Sequence, residues 1–302
     1  MSTEEEKIRQ LKKERDAVIL AHYYVPDEVQ AVADYIGDSY GLAKIATTLP
    51  QKTICFAGVT FMSESAKILN PDKTVLVPEP MADCPMAHMV EPEDIEAVRG
   101  QYEDLAVVCY INSTAEIKKY CDVIVTSSNA LKIVSKLPQK NIYFIPDENL
   151  GRYIASQLPE KHFIFNKGFC HVHTSITKEN VERAKAAHPG LKVLAHPECK
   201  ADVLALADYI GSTSGIIKYA TESEDQAFLI CTELGVLYDL RRKNPGKQFY
   251  SVGHRQFCPN MKRITLDKII KSLETMEPAM EIDAASREKA AAPLKKMLAL
   301  AE

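Results

Sequence analysis

The sequence repeats itself three times, with a period of 86 to 89 residues. Four landmarks recur in one order. AVILAHYYVPDEVQAVAD (17–34), AVVCYINSTAEIKKYCD (106–122) and KVLAHPECKADVLALAD (192–208) begin 89 and 86 residues apart. DYIGDSYGLAKIA (34–46), DVIVTSSNALKIV (122–134) and DYIGSTSGIIKYA (208–220) follow at offsets of 88 and 86. TICFAG (53–58), IYFIPD (142–147) and FLICTE (228–233) form the third line. The fourth is a cysteine in a polar loop behind a strand-like run: Cys84, Cys170 and Cys258, spaced 86 and 88 residues apart. Matched landmarks at one period mean an internal triplication, and a period this long means small domains, not a solenoid of short repeats.

Within each copy, continuous apolar runs of strand length alternate with helix patterns. Strands of that kind belong to parallel sheets covered on both faces. The expected fold is α/β: three homologous three-layer αβα domains with parallel sheets around a pseudo-threefold axis. The expected borders are an N-terminal helix over 1–16, with Ser2 or Thr3 as its cap, repeats over 17–105, 106–191 and 192–263, and C-terminal helices over 264–302. One tail helix spans Leu266 to Leu273. An Ala- and Lys-rich helix follows Asp283, with Pro293 restarting or kinking it. Both are expected on the outside, against the N-terminal helix.

Composition removes several classes of function. A net charge of −4 over 302 residues leaves no electrostatic footprint for nucleic acid or an anionic membrane. The N-terminus is a charged helix pattern without an apolar signal core, and no apolar run approaches the ~20 residues of a membrane span. The expectation is a soluble, cytoplasmic chain with no nucleic-acid or membrane partner. Eight cysteines without an export signal favour metal or catalytic use over disulfides. No Cys-x-x-Cys pair supports a zinc ribbon or thioredoxin-type site.

Ligands of open parallel sheets gather beyond the carboxyl ends of the strands. Behind the first strands stand His22, Tyr23 and Tyr24; Tyr110, Asn112 and Ser113; His196 and Glu198. Behind the second stand Asp38 and Ser39; Thr126, Ser127 and Ser128; Ser212, Thr213 and Ser214. Behind the last come Cys84, Cys170 with His171 and His173, and Cys258. The hydroxyl lines read as N-caps, and also as helix N-termini able to hold carboxylate or phosphate. The histidines are either satisfied structural groups or acid–base partners. Glu198 is the only acid on the first-strand ends and the preferred base. Tyr24 and Tyr110 are candidate acids or positioning groups, or core residues. Asp38 and Asp147 read as turn or cap residues.

Cys55, Cys109, Cys121 and Cys231 fit buried core thiols. The three loop cysteines do not, because DCPMA, GFCHVH and FCPNMK are polar. Three thiolates suit an iron–sulfur cluster or zinc. On a four-iron cube, three ligands leave one iron open to act as a Lewis acid. Cys199 is a candidate fourth ligand off the loop line.

AHYY with GDS, FMSESAKIL, DCPMA, YINSTAEIKKYCDVIVTSSNA, GFCHVH, HPEC, GST and CPNMK resemble the quinolinate synthase family, in the same order and over nearly the whole chain. The chain looks like the short form, without an extra C-terminal cysteine pair or fused domain. The resemblance implies three α/β domains about a pseudo-threefold axis with a [4Fe–4S] cluster at the centre. It implies condensation of iminoaspartate (iminosuccinate) with dihydroxyacetone phosphate to quinolinate, a precursor of NAD, with loss of phosphate and water. An aspartate oxidase or dehydrogenase would supply the iminoaspartate.

Carried over by position, Cys84, Cys170 and Cys258 are the cluster ligands. His22, Ser39, Tyr110, Asn112, Ser127, His196, Glu198 and Thr213 are substrate-binding, and Tyr24 and Glu198 serve acid–base steps. Ser212 and His173 match site-lining positions. Tyr23, Ser128 and Ser214 stand where the family often has Asn, Ala and Gly. Tyr23 would crowd the site or point into a neighbouring sheet, and Ser214 would disturb a tight turn that needs positive φ. Neither touches a cluster ligand, so activity is expected to survive. The competing reading is a non-catalytic three-domain protein that binds an anionic metabolite, with a zinc or empty three-Cys site.

Overall fold

The structure is a computed structural model and describes residues 3–253 and 255–302, so Ser2 as a cap lies outside the described residues. Among the described residues twelve strands form three four-stranded parallel sheets. The first holds β1 (Ala17–His22), β2 (Tyr35–Gly37), β3 (Thr53–Ala57) and β4 (Thr74–Leu76), in the order β2-β1-β3-β4. The second holds β5 (Leu105–Tyr110), β6 (Val123–Val125), β7 (Asn141–Ile145) and β8 (His162–Phe165), in the order β6-β5-β7-β8. The third holds β9 (Lys192–Ala195), β10 (Tyr209–Ile210), β11 (Ala227–Cys231) and β12 (Gln248–Ser251), in the order β10-β9-β11-β12. The sequence repeat is thus a repeat of topology, and the α/β fold agrees with three αβα units.

The central strands explain the unbroken apolar runs. β1 and β5 are buried along their whole length because helices cover both faces. In the third sheet alternation separates the layers: Val193, Ala195, Leu229 and Cys231 pack on one face, and Leu194, Phe228 and Ile230 on the other. The repeated aspartates are structural. Asp34, Asp122 and Asp208 each accept the backbone N–H of a first-strand residue (Ile19, Val107, Val193) at 2.7–2.8 Å. Each returns its own N–H to the carbonyl of that residue. The aspartate therefore pairs strand edge atoms just before the second strand begins.

Two expectations about the tail are corrected: Pro293 does not restart a helix, and the last helix packs elsewhere. The helix Ala284–Ala301 is continuous through Pro293, and it packs on the helices Thr60–Leu69 and Ala115–Lys118 and beside β6, not on the N-terminal helix. Pro293 shares its buried face with Ala290, Leu294 and Met297, so packing holds the turn where proline removes a hydrogen bond. The other tail helix, Leu266–Thr275, does lie against the N-terminal helix Thr3–Glu14. Arg15, just beyond that helix, donates to the carbonyls of Leu273 and Glu274.

Tyr23 leaves its own sheet and is buried in the core of the third, with Leu194, Ile216 and Phe228. It does not line the central cavity. Its ring joins two sheets, so Tyr23→Ala opens a cavity at their junction. The expected cost is about 3 kcal/mol or more of unfolding free energy, read by denaturant titration.

Candidate active site

The cysteine loops are tied to the sheets by one backbone hydrogen bond in each copy. The N–H of Thr60, Glu148 and Leu234, three residues past the ends of β3, β7 and β11, donates to the carbonyl of Ala82, Gly168 and Gln256 at 2.8–2.9 Å. Each acceptor lies two residues before a cysteine. Cys84 and Cys170 then open short helical turns, Pro85–His88 and His171–Thr174, and Cys258 precedes Met261–Arg263. Backbone N–H groups ahead of each cysteine point back at its sulfur: Met86 and Ala87, His173, and Asn260 and Met261. Burial pushes the Cys84 thiol up to about 12, and the neighbouring Cys258 adds to it. Burial also raises Cys170 and Cys258. The thiols are close enough to feel one another, and they are held protonated until a cation displaces the protons.

Cys84, Cys170 and Cys258 line one end of a cavity of about 770 Å³, counted out to its mouth. Three thiols from the loops of three sheets, each with N–H donors aimed at sulfur, make a donor set compatible with a thiolate-bound metal. Cys199 is not among the lining residues. It is buried in the third sheet's core with its thiol on the carbonyl of Cys231. Cys55, Cys109, Cys121 and Cys231 are also buried core thiols.

The same cavity gathers His22, Tyr24, Ser39, Tyr110, Asn112, Ser127, His173, His196, Glu198 and Thr213. Glu198 is the hub. Tyr110 of the second sheet donates to its Oε1 at 2.5 Å, and His173 Nδ1 lies 3.0 Å from its Oε2. His173 Nδ1 is also 3.2 Å from the Cys170 sulfur, and its Nε2 is 2.9 Å from the Thr232 hydroxyl. Thr232 reaches the Tyr24 hydroxyl at 2.8 Å, and Tyr24 reaches Thr213 at 2.7 Å. An unbroken hydrogen-bonded chain therefore runs from Thr213 through Tyr24, Thr232 and His173 to Glu198. His196 Nε2 meets Ser127 at 3.1 Å, and its ring stacks on His173 with centroids 4.6 Å apart. Cys170, His173 and Glu198 also present three metal-ligating atoms within 4.8 Å of one another.

The electrostatics divide these groups. Burial lowers His22 to about 3, with Lys262 adding to it and Glu198 opposing. His196 is likewise lowered to about 3 by burial, against Glu198. Both rings are neutral, and each accepts a backbone N–H at Nδ1, from Tyr24 and Glu198 respectively, so the proton sits on Nε2. Burial would raise Glu198, but the His173 and His196 rings and hydrogen bonds from His173 and Tyr110 outweigh it and hold the carboxyl below its ordinary range. Tyr24 and Tyr110 are driven well above the usual phenol value by burial and by the Glu198 charge. At its centre the cavity thus sets the Glu198 carboxylate among neutral histidine and tyrosine groups.

The hydroxyl lines meet the cap expectation at Ser212 and depart from it at Ser39 and in the second copy. The caps are Asp38, which accepts from Gly41, and Ser212, which accepts from Gly215. Ser39 and Thr213 are first helical residues and line the cavity, whereas Ser212 does not. In the second copy the helix starts later, at Ala130, and Thr126 is tied instead to the Asn129 side chain. Ser214 lies inside the helix Thr213–Glu222, so no positive φ is needed there, and its hydroxyl donates to Asp38. Asp147 does cap a helix, through Leu150. Among the described residues Asn112 Oδ1 has no hydrogen-bond partner, and Asn112 lines the cavity.

Sequence reasoning missed Thr232 and Glu233. Glu233 lines the cavity and pairs with Lys262 at 3.1 Å, and Lys262 also holds the Tyr24 carbonyl at 2.6 Å. Their one signal was that TE closes the FLICTE line, directly behind a strand. Val59, Phe61, Met86 and Met261 supply apolar wall.

Comparison with known proteins gives one answer. The family model described as quinolinate synthetase A protein matches residues 6–299. A quinolinate synthase of Fusobacterium nucleatum is 53% identical over 98% of this chain and 99% of that protein. One of Clostridioides difficile is 48% identical over 98% of this chain and 97% of its own length. Quinolinate synthase 2 of Methanosarcina acetivorans is 45% identical over 98% and 95%.

The lowered histidines make stability depend on pH with a definite sign. Below the ordinary histidine value of 6.5 the unfolded chain takes up protons that the folded rings refuse until about 3. Stability from these rings is therefore lost as pH falls from about 6.5 toward 3. Calorimetry of the cluster-free protein across that window is expected to show a smaller loss for His196→Asn than for the wild type.

Proposed function

The chain belongs to the quinolinate synthase family, enzymes of NAD biosynthesis, and from that premise we propose that it condenses iminoaspartate with dihydroxyacetone phosphate to quinolinate, with loss of phosphate and water, in the cytoplasm. The observation that carries this reading is the meeting of three loop thiols with the Glu198 hydrogen-bond hub in one cavity. Cys84, Cys170 and Cys258 would hold a [4Fe–4S] cluster, which when bound supplies a Lewis-acidic iron able to polarise a hydroxyl or carboxylate oxygen.

The chain's own groups have distinct tasks. Glu198 is ionised and acts as the base, with Tyr110 and His173 holding its two oxygens. Tyr24, kept neutral, returns a proton. His22 and His196 present neutral Nε2–H donors to substrate carboxylate or carbonyl oxygen. Ser39 and Thr213, at the first turns of their helices, bind phosphate and carboxylate with help from the exposed N–H groups there. Asn112 and Ser127 complete the contacts. His173 positions Glu198, and Ser212 acts only through the helix it caps. The apolar wall keeps water from unstable intermediates. An aspartate oxidase or dehydrogenase would supply the iminoaspartate.

The test is anaerobic. Reconstituted protein is expected to carry about four iron and four sulfide per chain and to form quinolinate from the two substrates. A colourless, iron-free protein after careful reconstitution overturns the reading. Cys170→Ala is expected to lose both cluster and activity. Glu198→Gln is expected to keep the cluster and lower kcat about 100-fold or more.

A further inference from the structure

The triplication aligns one further set of residues that the reaction does not call on. Two residues beyond the ends of β3, β7 and β11 stand Val59, Asp147 and Glu233. The two acids are fully buried. Each gives one oxygen to the N–H of a loop cysteine and the other to an N–H two or three residues on, and Glu233 Oε1 is also paired with Lys262 at 3.1 Å. Asp147 Oδ1 accepts the Leu150 N–H at 2.7 Å in the first turn of the helix Glu148–Gln157, and Oδ2 accepts the Cys170 N–H at 3.2 Å. Glu233 Oε2 accepts the Gly235 N–H at 2.6 Å, just before the helix Val236–Lys243, and Oε1 accepts the Cys258 N–H at 3.1 Å. Where the first copy has Val59, the Cys84 N–H turns to Asp83 beside it, at 2.8 Å. All three loop cysteines thus have their backbone N–H fixed by a carboxylate. In two of them that carboxylate is anchored to the sheet some twenty residues upstream.

We propose that Asp147 and Glu233 are positioning residues for Cys170 and Cys258: they hold the loop backbone so that both sulfurs are aimed at the cluster position before any metal arrives. The physical gain is preorganisation, because a loop already ordered in the free protein does not have to be ordered by the metal. Two independent copies of one arrangement, at equivalent places and with the same division of oxygens, carry the inference. It rests on the reading of these cysteines as cluster ligands.

Asp147→Asn and Glu233→Gln test it, because an amide keeps one acceptor oxygen and turns the other into a donor. Asn caps a helix as well as Asp does, so the cap is kept and the cysteine N–H loses its partner. After anaerobic reconstitution, iron release to a ferrous chelator is expected to be about tenfold faster in each variant. The electron paramagnetic resonance of the reduced cluster is expected to change with it. Should one variant fail to fold, the other decides the question alone, since the two loops are separate. Iron release and spectra identical to wild type in the variants overturn the proposal. So does a lowered cluster-free unfolding temperature with unchanged iron release, which leaves both residues a role in the stability of the fold and nothing more. A wild type that takes up no iron overturns the functional reading itself, and this inference with it.

Discussion

Three backbone hydrogen bonds, from Thr60, Glu148 and Leu234 to Ala82, Gly168 and Gln256, set the geometry on which the site depends. Each joins the exit of a central strand to a loop that leaves the far edge of the same sheet. A buried amide left unpaired there would cost about 1–3 kcal/mol, so the loop is held to the sheet and its cysteine sits two residues from a fixed point. Because the bond is made by main chain, the acceptors could become Ala, Gly and Gln without moving the cysteines. The sheets can therefore diverge in side chain while the three sulfurs still converge.

That insensitivity decides what was legible in the sequence. The period, the strands and the loop cysteines showed because burial on both faces demands unbroken apolar runs such as AVILAH and LAVVCY. The strand-end groups showed because a parallel sheet fixes where its ligand side lies. Thr232 and Glu233 did not show. Their meaning comes from Tyr24 and His173, 208 and 59 residues away in sequence, and from a loop cysteine 25 residues on. Ser39 misled for a local reason: Asp and Ser cap equally well, so in DSYG the acid takes the cap and releases the hydroxyl one place on, whereas Ser212 caps as the hydroxyl line suggested. Pro293 reads as a break by propensity, and only the buried face it shares with Leu294 and Met297 overrides that.

The site also couples groups that the sequence keeps apart. His173 stands one turn after Cys170, touches that sulfur, and holds Glu198 of the third sheet with its ring nitrogen. Tyr110 of the second sheet holds the other oxygen. A buried carboxylate survives only with such partners, since desolvation otherwise neutralises it. The charge state of Glu198 thus depends on the placement of the second cysteine loop. The neutral rings of His22 and His196 carry the opposite cost, a penalty on gaining a proton, and so remain donors at neutral pH.

A threefold scaffold is a poor match for an asymmetric reaction, and the repeat resolves this by changing side chains at equivalent places. The equivalent place at the carboxyl end of the first strand is His22, Tyr110 and His196; two places on it is Tyr24, Asn112 and Glu198. One copy supplies a phenol, one an amide with a free acceptor, and one the carboxylate. Had all three carried an acid there, mutual repulsion in a buried cavity would have protonated most of them. With one acid among these three equivalent places, Glu198 is the acceptor and the phenol and amide beside it stay neutral. The backbone keeps the threefold order that brings the cysteines together, and the side chains break it where the substrate must be told left from right.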